Sequence, residues 1–184
     1  VLNVLDDQLD RFVDPAIVRD KLASVSARAA EALVLNADDQ NILLINKKIH
    51  NPKTSWFGIE DKIISATEHG LGNAPTYVSE LPRPQVDTEI LEHGAGATKA
   101  RVGSVEVSFD LPNRGIHFAL DAAAALESAR RYLGSSFDAK LAAKTLADLP
   151  PVFARGEVTQ VKGVDVEFIL VQNPMSFQLN LDNL

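Results

Sequence analysis

The chain has 184 residues, enough for one large domain or two small ones, and 46% of them are apolar, which is enough for a buried core. Its formal net charge is −7, which argues against a nucleic-acid surface, because binding phosphates requires clustered Lys and Arg. Cysteine is absent, so disulfides and thiolate metal sites are excluded, and no apolar run approaches the ~20 residues of a transmembrane helix.

The first part of the chain predicts alternating strands and helices. Val1-Leu2-Asn3 is a short apolar start that predicts a strand. Asp14-Pro15 is a typical helix start, because Asp caps the first turn and Pro suits the first helical position. Residues 16–30 continue as a helix. Leu33-Val34-Leu35 predicts a buried strand, and residues 54–58 predict another.

The middle of the chain changes character twice. Residues 68–100 contain seven of the nineteen Gly and Pro residues of the chain, and this concentration indicates an irregular insertion or a flexible segment. The alternation over residues 102–111 predicts a hairpin. An Ala-rich helix is predicted over residues 118–133, ending at Gly134, and a second helix over residues 136–149.

The last part of the chain predicts a new pair of strands. Residues 158–160 and 164–171 are apolar runs around a Lys162-Gly163 turn. The order of elements predicts an α/β fold, because the chain begins with strand, helix and strand, continues with helices and ends with new strands. We expect a domain with a parallel central sheet over residues 1–150 and the start of a second α/β domain at residues 151–184.

Three features of the sequence invite a functional interpretation, and each has a plainer one. Residues 94–99, GAGATK, faintly resemble a phosphate loop, but the residue order is wrong for that motif, so a flexible loop is favoured. The cluster Asp6-Asp7-Asp10 could hold Mg²⁺ through oxygen ligands, although a capped, solvated turn is favoured. The four histidines form no helical i, i+4 pair, so no metal site is predicted.

The stretch at residues 3–12, NVLDDQLDRF, carries the clearest resemblance. It resembles the segment N-L-F-R-D-Q-L-D-R-Y of the MurT-type subunit of lipid II isoglutaminyl synthase, a branch of the Mur ligase family. The matching positions are Asn3, Asp7, Gln8, Leu9, Asp10 and Arg11. Peptide-forming Mur ligases carry His where Gln8 stands, so Gln8 favours the MurT-type branch.

Five further motifs follow in the family's order. Residues 35–39, LNADD, resemble N-A-D-D-P, and residues 56–59, WFGI, are similar to Y-F-G-I. Residues 115–122, GIHFALDA, resemble the general Mur pattern G-x-H-N-x-x-N-A. Residues 153–157, FARGE, and 171–174, VQNP, are similar to F-G-R-x-E and V-K-N-P. The series spans nearly the whole chain.

The resemblance implies a Mur-ligase-like central domain with a parallel sheet, followed by the start of a C-terminal domain. In the family, an ATP-binding P-loop precedes the segment at Asn3, and the C-terminal domain continues past the position of Leu184. The expectation is therefore a fragment that binds ATP and Mg²⁺ weakly or not at all.

The implied reaction is ATP-dependent amidation in cell-wall synthesis. The α-carboxylate of D-glutamate in lipid II would become an acyl phosphate and then react with ammonia from a partner glutaminase subunit, GatD-like in type. The protein would be cytoplasmic and would meet lipid II at the membrane surface. The fragment by itself is expected to be inactive.

The resemblance also implies roles for single residues. Arg155 matches the family's Arg at the hinge into the last domain and is the expected catalytic residue; a surface Arg at a strand start is the alternative. The implied cofactor-binding residues are Asp121, His117 and Asn36, and no metal ligand is implied. The two Asn of the family motif that touch adenine are replaced here by Phe118, which could only stack, and by Asp121, which could still accept a hydrogen bond.

Two departures from the family qualify this interpretation. The replaced Asn residues favour an alternative function, a catalytically degenerate Mur-like scaffold or binding protein in cell-wall synthesis. The MurT-type branch also commonly carries a four-Cys zinc ribbon in its central domain. This chain has no Cys, and residues 68–100 occupy that place, so they are expected to hold no metal.

Overall fold

The computed structural model describes seven stretches of the chain. They are residues 1–6, 13–49, 53–94, 97–111, 115–150, 155–171 and 173–182. The helices are α1 (Pro15–Ser26), α2 (Gln40–Ile49), α3 (Asp61–Ile64), α4 (Ile116–Leu133), α5 (Ala139–Ala147) and α6 (Pro174–Leu181). The strands are β1 (Leu33–Asn36), β2 (Thr54–Ile59), β3 (Thr88–Glu92), β4 (Thr98–Val102), β5 (Val105–Phe109), β6 (Arg155–Val161) and β7 (Val164–Ile169).

Five strands form one mixed sheet in the order β1-β2-β3-β4-β5. The first three are parallel, with Leu33 beside Thr54 and Phe57 beside Thr88. The pairs β3–β4 and β4–β5 are antiparallel. Strands β6 and β7 form a separate antiparallel hairpin around Lys162-Gly163. The predicted α/β fold with parallel central strands is therefore confirmed.

Helices cover both faces of the five-stranded sheet. Side chains of β1 alternate between the faces, because Leu33 and Leu35 pack in the cluster formed with α1 and α2, whereas Val34 packs in the cluster formed with α4. Helix α4 lies across β1 to β4. Its small residues Ala119 and Ala123 are fully buried, which lets the helix approach the sheet closely. The Ala-rich run is thus a packed core helix.

Capping side chains explain where several helices begin. Asp14 accepts a hydrogen bond from the backbone N–H of Ala16 at 2.8 Å, which confirms the predicted start of α1. The helix predicted from residue 136 begins later, at Ala139, because Asp138 provides the cap. Helix α1 ends at Ser26 and not near residue 30.

Two predictions about the sheet were wrong. Residues 68–100 are not one irregular segment, since they contain β3 and the first half of β4. Residues 1–3 run beside β1 in the same direction, but they do not form a strand of the sheet. The terminal amino group of Val1 donates to the carbonyl of Val34 at 2.7 Å. The next contact is made by the side chain of Asn36, which donates to the carbonyl of Leu2, so these residues form no backbone ladder with β1.

Helix α6 packs against the loop that contains Gly72. A Cβ added to Gly72 would clash with the Met175 side chain of α6, so α6 packs closely against this loop. A domain boundary near residue 150 stays a prediction, and residues 151–154 lie outside the described stretches. Within those stretches, none of the helices combines the length and the apolar character that crossing a membrane requires.

Candidate functional site

The edge of the sheet at which β1, β2 and β3 end is called the carboxyl edge. Parallel strands place their carboxyl ends together, and open α/β sheets bind their ligands outside these ends. In this chain β1 ends at Asn36, β2 at Ile59 and β3 at Glu92. The polar residues that follow these three strands are therefore the first candidates for a functional site.

Asn36, a predicted cofactor-binding residue, is fully buried at this edge. Its side-chain N–H donates to the carbonyl of Leu2 at 2.8 Å, and its side-chain oxygen accepts from the backbone N–H of Asp38 at 2.8 Å. Both ends of the amide are thus used to hold the first residues beside β1 and to shape the turn after it. In the structure Asn36 is a positioning group, and direct contact with a cofactor stays a prediction.

Asp39 is also fully buried and organises the same turn. One oxygen accepts from the backbone N–H of Val4 at 2.6 Å, and the other accepts from the backbone N–H of Asn41 at 2.8 Å. Burial raises the pKa of Asp39, although these donors favour the charged form. The carboxylate ties the segment after residue 3 to the start of α2.

Asp38 belongs to a charged network, and its contact with Arg83 joins residues that are 45 apart in sequence. One of its oxygens accepts from Arg83 Nε at 2.7 Å, and the other from the backbone N–H of Ile59 at 2.7 Å. Arg83 also donates to Glu89 at 2.9 Å and to the carbonyl of Ile59 at 3.0 Å, and Arg101 bonds the second oxygen of Glu89. Burial raises the pKa of Asp38 in spite of the neighbouring guanidinium. The negative charges of two carboxylates are therefore matched by the positive charges of two guanidinium groups at the carboxyl edge.

Residues 73–87 cross this edge as an anchored segment. The side chain of Gln40 both donates to the carbonyl of Leu81 at 3.0 Å and accepts from its N–H at 2.9 Å. Asn73 donates to the carbonyl of Asp38 at 2.9 Å, and Asn41 donates to the carbonyl of Ala74 at 2.8 Å. The alternative of an irregular segment is confirmed for this stretch, and side-chain amides support it in place of regular secondary structure.

A second polar group lies where β3 ends and α4 begins. His93 directly follows β3, and its Nδ1 is 3.0 Å from the hydroxyl of Thr98 at the start of β4. Burial lowers the pKa of His93. In the first turn of α4 the rings of His117 and Phe118 lie 4.2 Å apart at an angle of 41°. This pair offers a half-buried aromatic surface at the same edge of the sheet.

The other residues predicted for the site are distributed as follows. His117 lies in the first turn of α4, and Asp121 follows one turn later with an exposed side chain. Arg155 is the first residue of β6, but its side chain lies outside the described part, as do Asp7, Gln8 and Asp10. The structure therefore brings Asn36 and His117 to one edge of the sheet and leaves the role of Arg155 a prediction.

Sequence reasoning missed the residues that organise this edge. Arg83 and His93 had no motif around them, and Pro82 and Pro84 made the neighbourhood of Arg83 resemble a loop without contacts. Single polar residues in irregular segments carry no periodic signal, so their partners emerge only from the folded chain.

One group of possible metal ligands lies elsewhere. Glu68, His69 and Asp182 place one ligand atom each within 4.8 Å of one another, the one such group among the described residues. His69 Nδ1 lies 2.8 Å from a carboxylate oxygen of Asp182, so a hydrogen bond already accounts for this contact. The expectation that residues 68–100 hold no metal stays a prediction.

Comparisons with known proteins give a fold but no sequence match. No protein-family profile matches the chain, and no curated protein matches it. The solved pseudomurein peptide ligase type C from Methanothermus fervidus is similar, with a TM-score of 0.76 at 20% identity, over 100% of this chain and 40% of that one. MurF from Acinetobacter baumannii has a TM-score of 0.70 at 14% identity, over 97% and 35%. MurF ligase from Thermotoga maritima in complex with ADP has a TM-score of 0.64 at 16% identity, over 98% and 37%.

These similarities establish the fold. Nearly all of the chain superposes on Mur ligase structures, so its mixed, mostly parallel sheet is a Mur-ligase-like fold. The chain spans no more than 40% of the length of these three solved proteins. At identities of 20% or less, their likeness concerns architecture, and activity has to be argued separately.

Proposed function

We propose that this chain is part of an ATP-dependent ligase that forms C–N bonds in cell-wall synthesis. The observation that carries the proposal is the likeness, over the entire chain, to the pseudomurein peptide ligase of Methanothermus fervidus. The likeness to a MurF ligase that was solved with ADP supports the use of a nucleotide. The six short motifs in family order support the same assignment from the sequence.

The proposed reaction activates a carboxylate by phosphorylation. A carboxylate oxygen bonds to the γ-phosphorus of ATP while the bond to ADP breaks, and this gives an acyl phosphate and ADP. Ammonia then bonds to the acyl carbon, phosphate leaves with the C–O electron pair, and the ammonia nitrogen loses a proton. Phosphoryl transfer is promoted mainly by positioning and by cationic groups near the transferred oxygens.

The described residues fit a nucleotide base better than a magnesium ion. The half-buried rings of His117 and Phe118 present a surface on which a base could stack, with Asp121 one turn further along α4. Both oxygens of Asp38 and both of Asp39 already accept internal hydrogen bonds, so these carboxylates do not fit a Mg²⁺ site as arranged.

The finer proposal names the substrates. The resemblance of residues 3–12 to the MurT-type segment, with Gln8 in place of His, supports amidation of the D-glutamate α-carboxylate of lipid II. A glutaminase subunit would supply the ammonia. Arg155 would donate hydrogen bonds to the transferring phosphoryl group, since a guanidinium is always charged and planar.

Amidation of lipid II with free ammonia tests both levels of this proposal. The natural protein that contains this chain should convert lipid II in an ATP-dependent way without its glutaminase. Arg155→Ala should lower turnover on the order of 100- to 1,000-fold, by analogy with loss of a transition-state donor, and Arg155→Lys should restore part of it. Lys162→Ala, in the exposed turn of the same hairpin, is the matched control and should keep full activity. Normal turnover in Arg155→Ala would end the catalytic role of Arg155.

A non-catalytic scaffold is the second candidate. Phe118 and Asp121 replace the adenine-contacting Asn residues of the resembling family, and Asn36 is fully engaged inside the protein. Calorimetric titration of the natural protein with ATP separates the two functions, because the ligase requires binding and the scaffold predicts none. The 184-residue chain itself is expected to bind ATP weakly or not at all, and micromolar affinity would contradict that expectation.

A further inference from the structure

We propose that residues 75–80 form a recognition loop for the carboxylate substrate, and that Tyr77 in this loop contacts the peptide next to the reacting carboxylate. The inference rests on the proposed function and deepens it, because it assigns a contact with that substrate to a loop at the carboxyl edge. Tyr77 belongs neither to the six sequence motifs nor to the charged network around Asp38.

The first end of the loop is fixed to the candidate site. The backbone N–H of Ala74 donates to the carbonyl of Val4 at 2.8 Å, and the carbonyl of Ala74 accepts from the side chain of Asn41 at 2.8 Å. The preceding residue, Asn73, donates to the carbonyl of Asp38 at 2.9 Å. Val4 lies in the segment with the clearest family resemblance, so this end of the loop is held beside that segment.

The second end of the loop is fixed at the start of α2. The side chain of Gln40 accepts from the backbone N–H of Leu81 at 2.9 Å and donates to its carbonyl at 3.0 Å. Both ends of the loop are therefore bonded to residues 38–41. All of the six residues between them except Thr76 are exposed. Short surface loops with closely spaced ends are frequently functional, since a rigid base presents their side chains.

The tip of the loop exposes an aromatic ring. Tyr77 is 91% exposed, and the adjacent Val78 is 53% exposed. Covering these side chains with a ligand would remove apolar surface from water, and the Tyr hydroxyl could hydrogen-bond at the same time. Residues 73–82 contain no Lys or Arg, so the tip does not fit the phosphates of a nucleotide. An aromatic ring with a hydroxyl group fits the uncharged part of a peptide.

The length of the loop limits which part of the substrate Tyr77 can meet. Tyr77 is three residues from Ala74, so its Cα lies within about 11 Å of that anchor. An extended peptide advances about 3.5 Å per residue, so this distance covers about three amino acids beside a carboxylate that reacts at the carboxyl edge. The contact therefore falls on the stem peptide and not on a more distant part of lipid II.

Tyr77→Ala in the natural protein tests this contact in the amidation assay with free ammonia. We expect the KM for lipid II to rise about tenfold, with the KM for ATP and for ammonia unchanged, and Tyr77→Phe to keep the wild-type ring contact. Tyr132→Ala is the matched control. Tyr132 is the other Tyr of the chain, is 89% exposed, and lies in the last turn of α4, roughly 22 Å along the helix from His117. Its removal should leave all three KM values unchanged.

Gln40→Met tests the contribution of the fixed base. Met keeps the length of the side chain but removes both hydrogen bonds to Leu81, so the KM for lipid II should rise about threefold through lost preorganisation. In the double variant with Tyr77→Ala, Gln40→Met should add nothing, because the loop then has no ring to present. A rise that adds to the effect of Tyr77→Ala would show that Gln40 does not act through the loop, and would overturn this part of the inference.

The results separate the recognition loop from the proposed function. Because the Tyr77 ring is exposed, Tyr77→Ala should keep the wild-type Tm. An active variant with an unchanged KM for lipid II would overturn the recognition loop and leave the ligase standing, whereas a wild-type protein without ATP-dependent amidation would overturn both. If Tyr77→Ala impaired only the reaction supplied by the glutaminase, the loop would bind that subunit, and the proposed contact with the substrate would be wrong.

Discussion

The carboxyl edge and the β6–β7 hairpin are supported in opposite ways. At the carboxyl edge, polar groups such as Asn36 and Asp39 are fully buried, and each is bonded to a distant part of the chain. In the hairpin, Val158, Val164 and Phe168 are about half exposed or more, and the strands pair only with each other. Stability at the edge therefore depends on specific long-range hydrogen bonds, whereas the stability of the hairpin depends on its own turn and ladder.

Removing Asp39 should produce the largest effect. Asp39→Ala leaves the buried backbone N–H groups of Val4 and Asn41 without their acceptor and should lower the free energy of unfolding by about 3 kcal/mol. Urea unfolding of the variant measures this loss. Asp165→Ala, which removes an exposed hydrogen bond to Gln160 in the hairpin, is the matched control and should change it by less than about 0.5 kcal/mol. Equal effects of the two substitutions would remove the contrast between the regions.

Breaking the charged network should have the next largest effect. Arg83→Met leaves the Asp38 side chain, 3% exposed, without its cationic partner. Because the Arg83 side chain is itself 31% exposed, we expect a loss of about 2 kcal/mol, less than for a fully buried pair. The exposed pair of Lys48 and Asp20 gives the control, and Lys48→Met should cost no more than about 0.5 kcal/mol. A loss that small in Arg83→Met would mean that water already solvates Asp38.

A change in the hairpin turn should act in the opposite direction and more weakly. Lys162 has a φ of 53°, a conformation that costs an L-residue energy and that Asn tolerates better. Lys162→Asn creates an Asn-Gly turn and should stabilise the hairpin by about 0.5 kcal/mol. Slower hydrogen exchange of the β6 and β7 amides, with unchanged exchange of those in β1, would confirm that the hairpin is supported locally. Slower exchange in β1 as well would show that the two regions unfold together.

The smallest expected effect is a pH dependence from His93. Burial lowers its pKa in the folded protein, so the unfolded chain binds this proton more readily. The contribution of neutral His93 to stability is complete above the unfolded pKa of about 6.5, and it is lost as the pH falls through the folded value. His93→Gln should therefore lose less stability than the wild type between about pH 7 and pH 5. If the free energy of unfolding of the two proteins changed with pH in the same way, the lowered pKa of His93 would be contradicted.

The local features of this fold could be predicted from the sequence. Asp14-Pro15 predicted the start of α1, the apolar run at Leu33-Val34-Leu35 predicted β1, and Lys162-Gly163 predicted the turn of the hairpin. Each of these signals depends either on the backbone preference of one residue or on the periodicity of apolar residues around it. Both are local properties that can be read from neighbouring positions in the sequence. Alternating strands and helices were enough to predict the α/β class.

Only the tertiary structure decided how the candidate site is built. Arg83 meets Asp38 across 45 residues, and Gln40 meets Leu81 across 41 residues, because the parallel strands carry their ends to one edge. The three Pro residues in residues 73–87 indicated that no regular element forms there, but not which side chains hold the segment in place. Single polar contacts between distant residues leave no periodic trace in a sequence, since each depends on where the folded sheet places its partner.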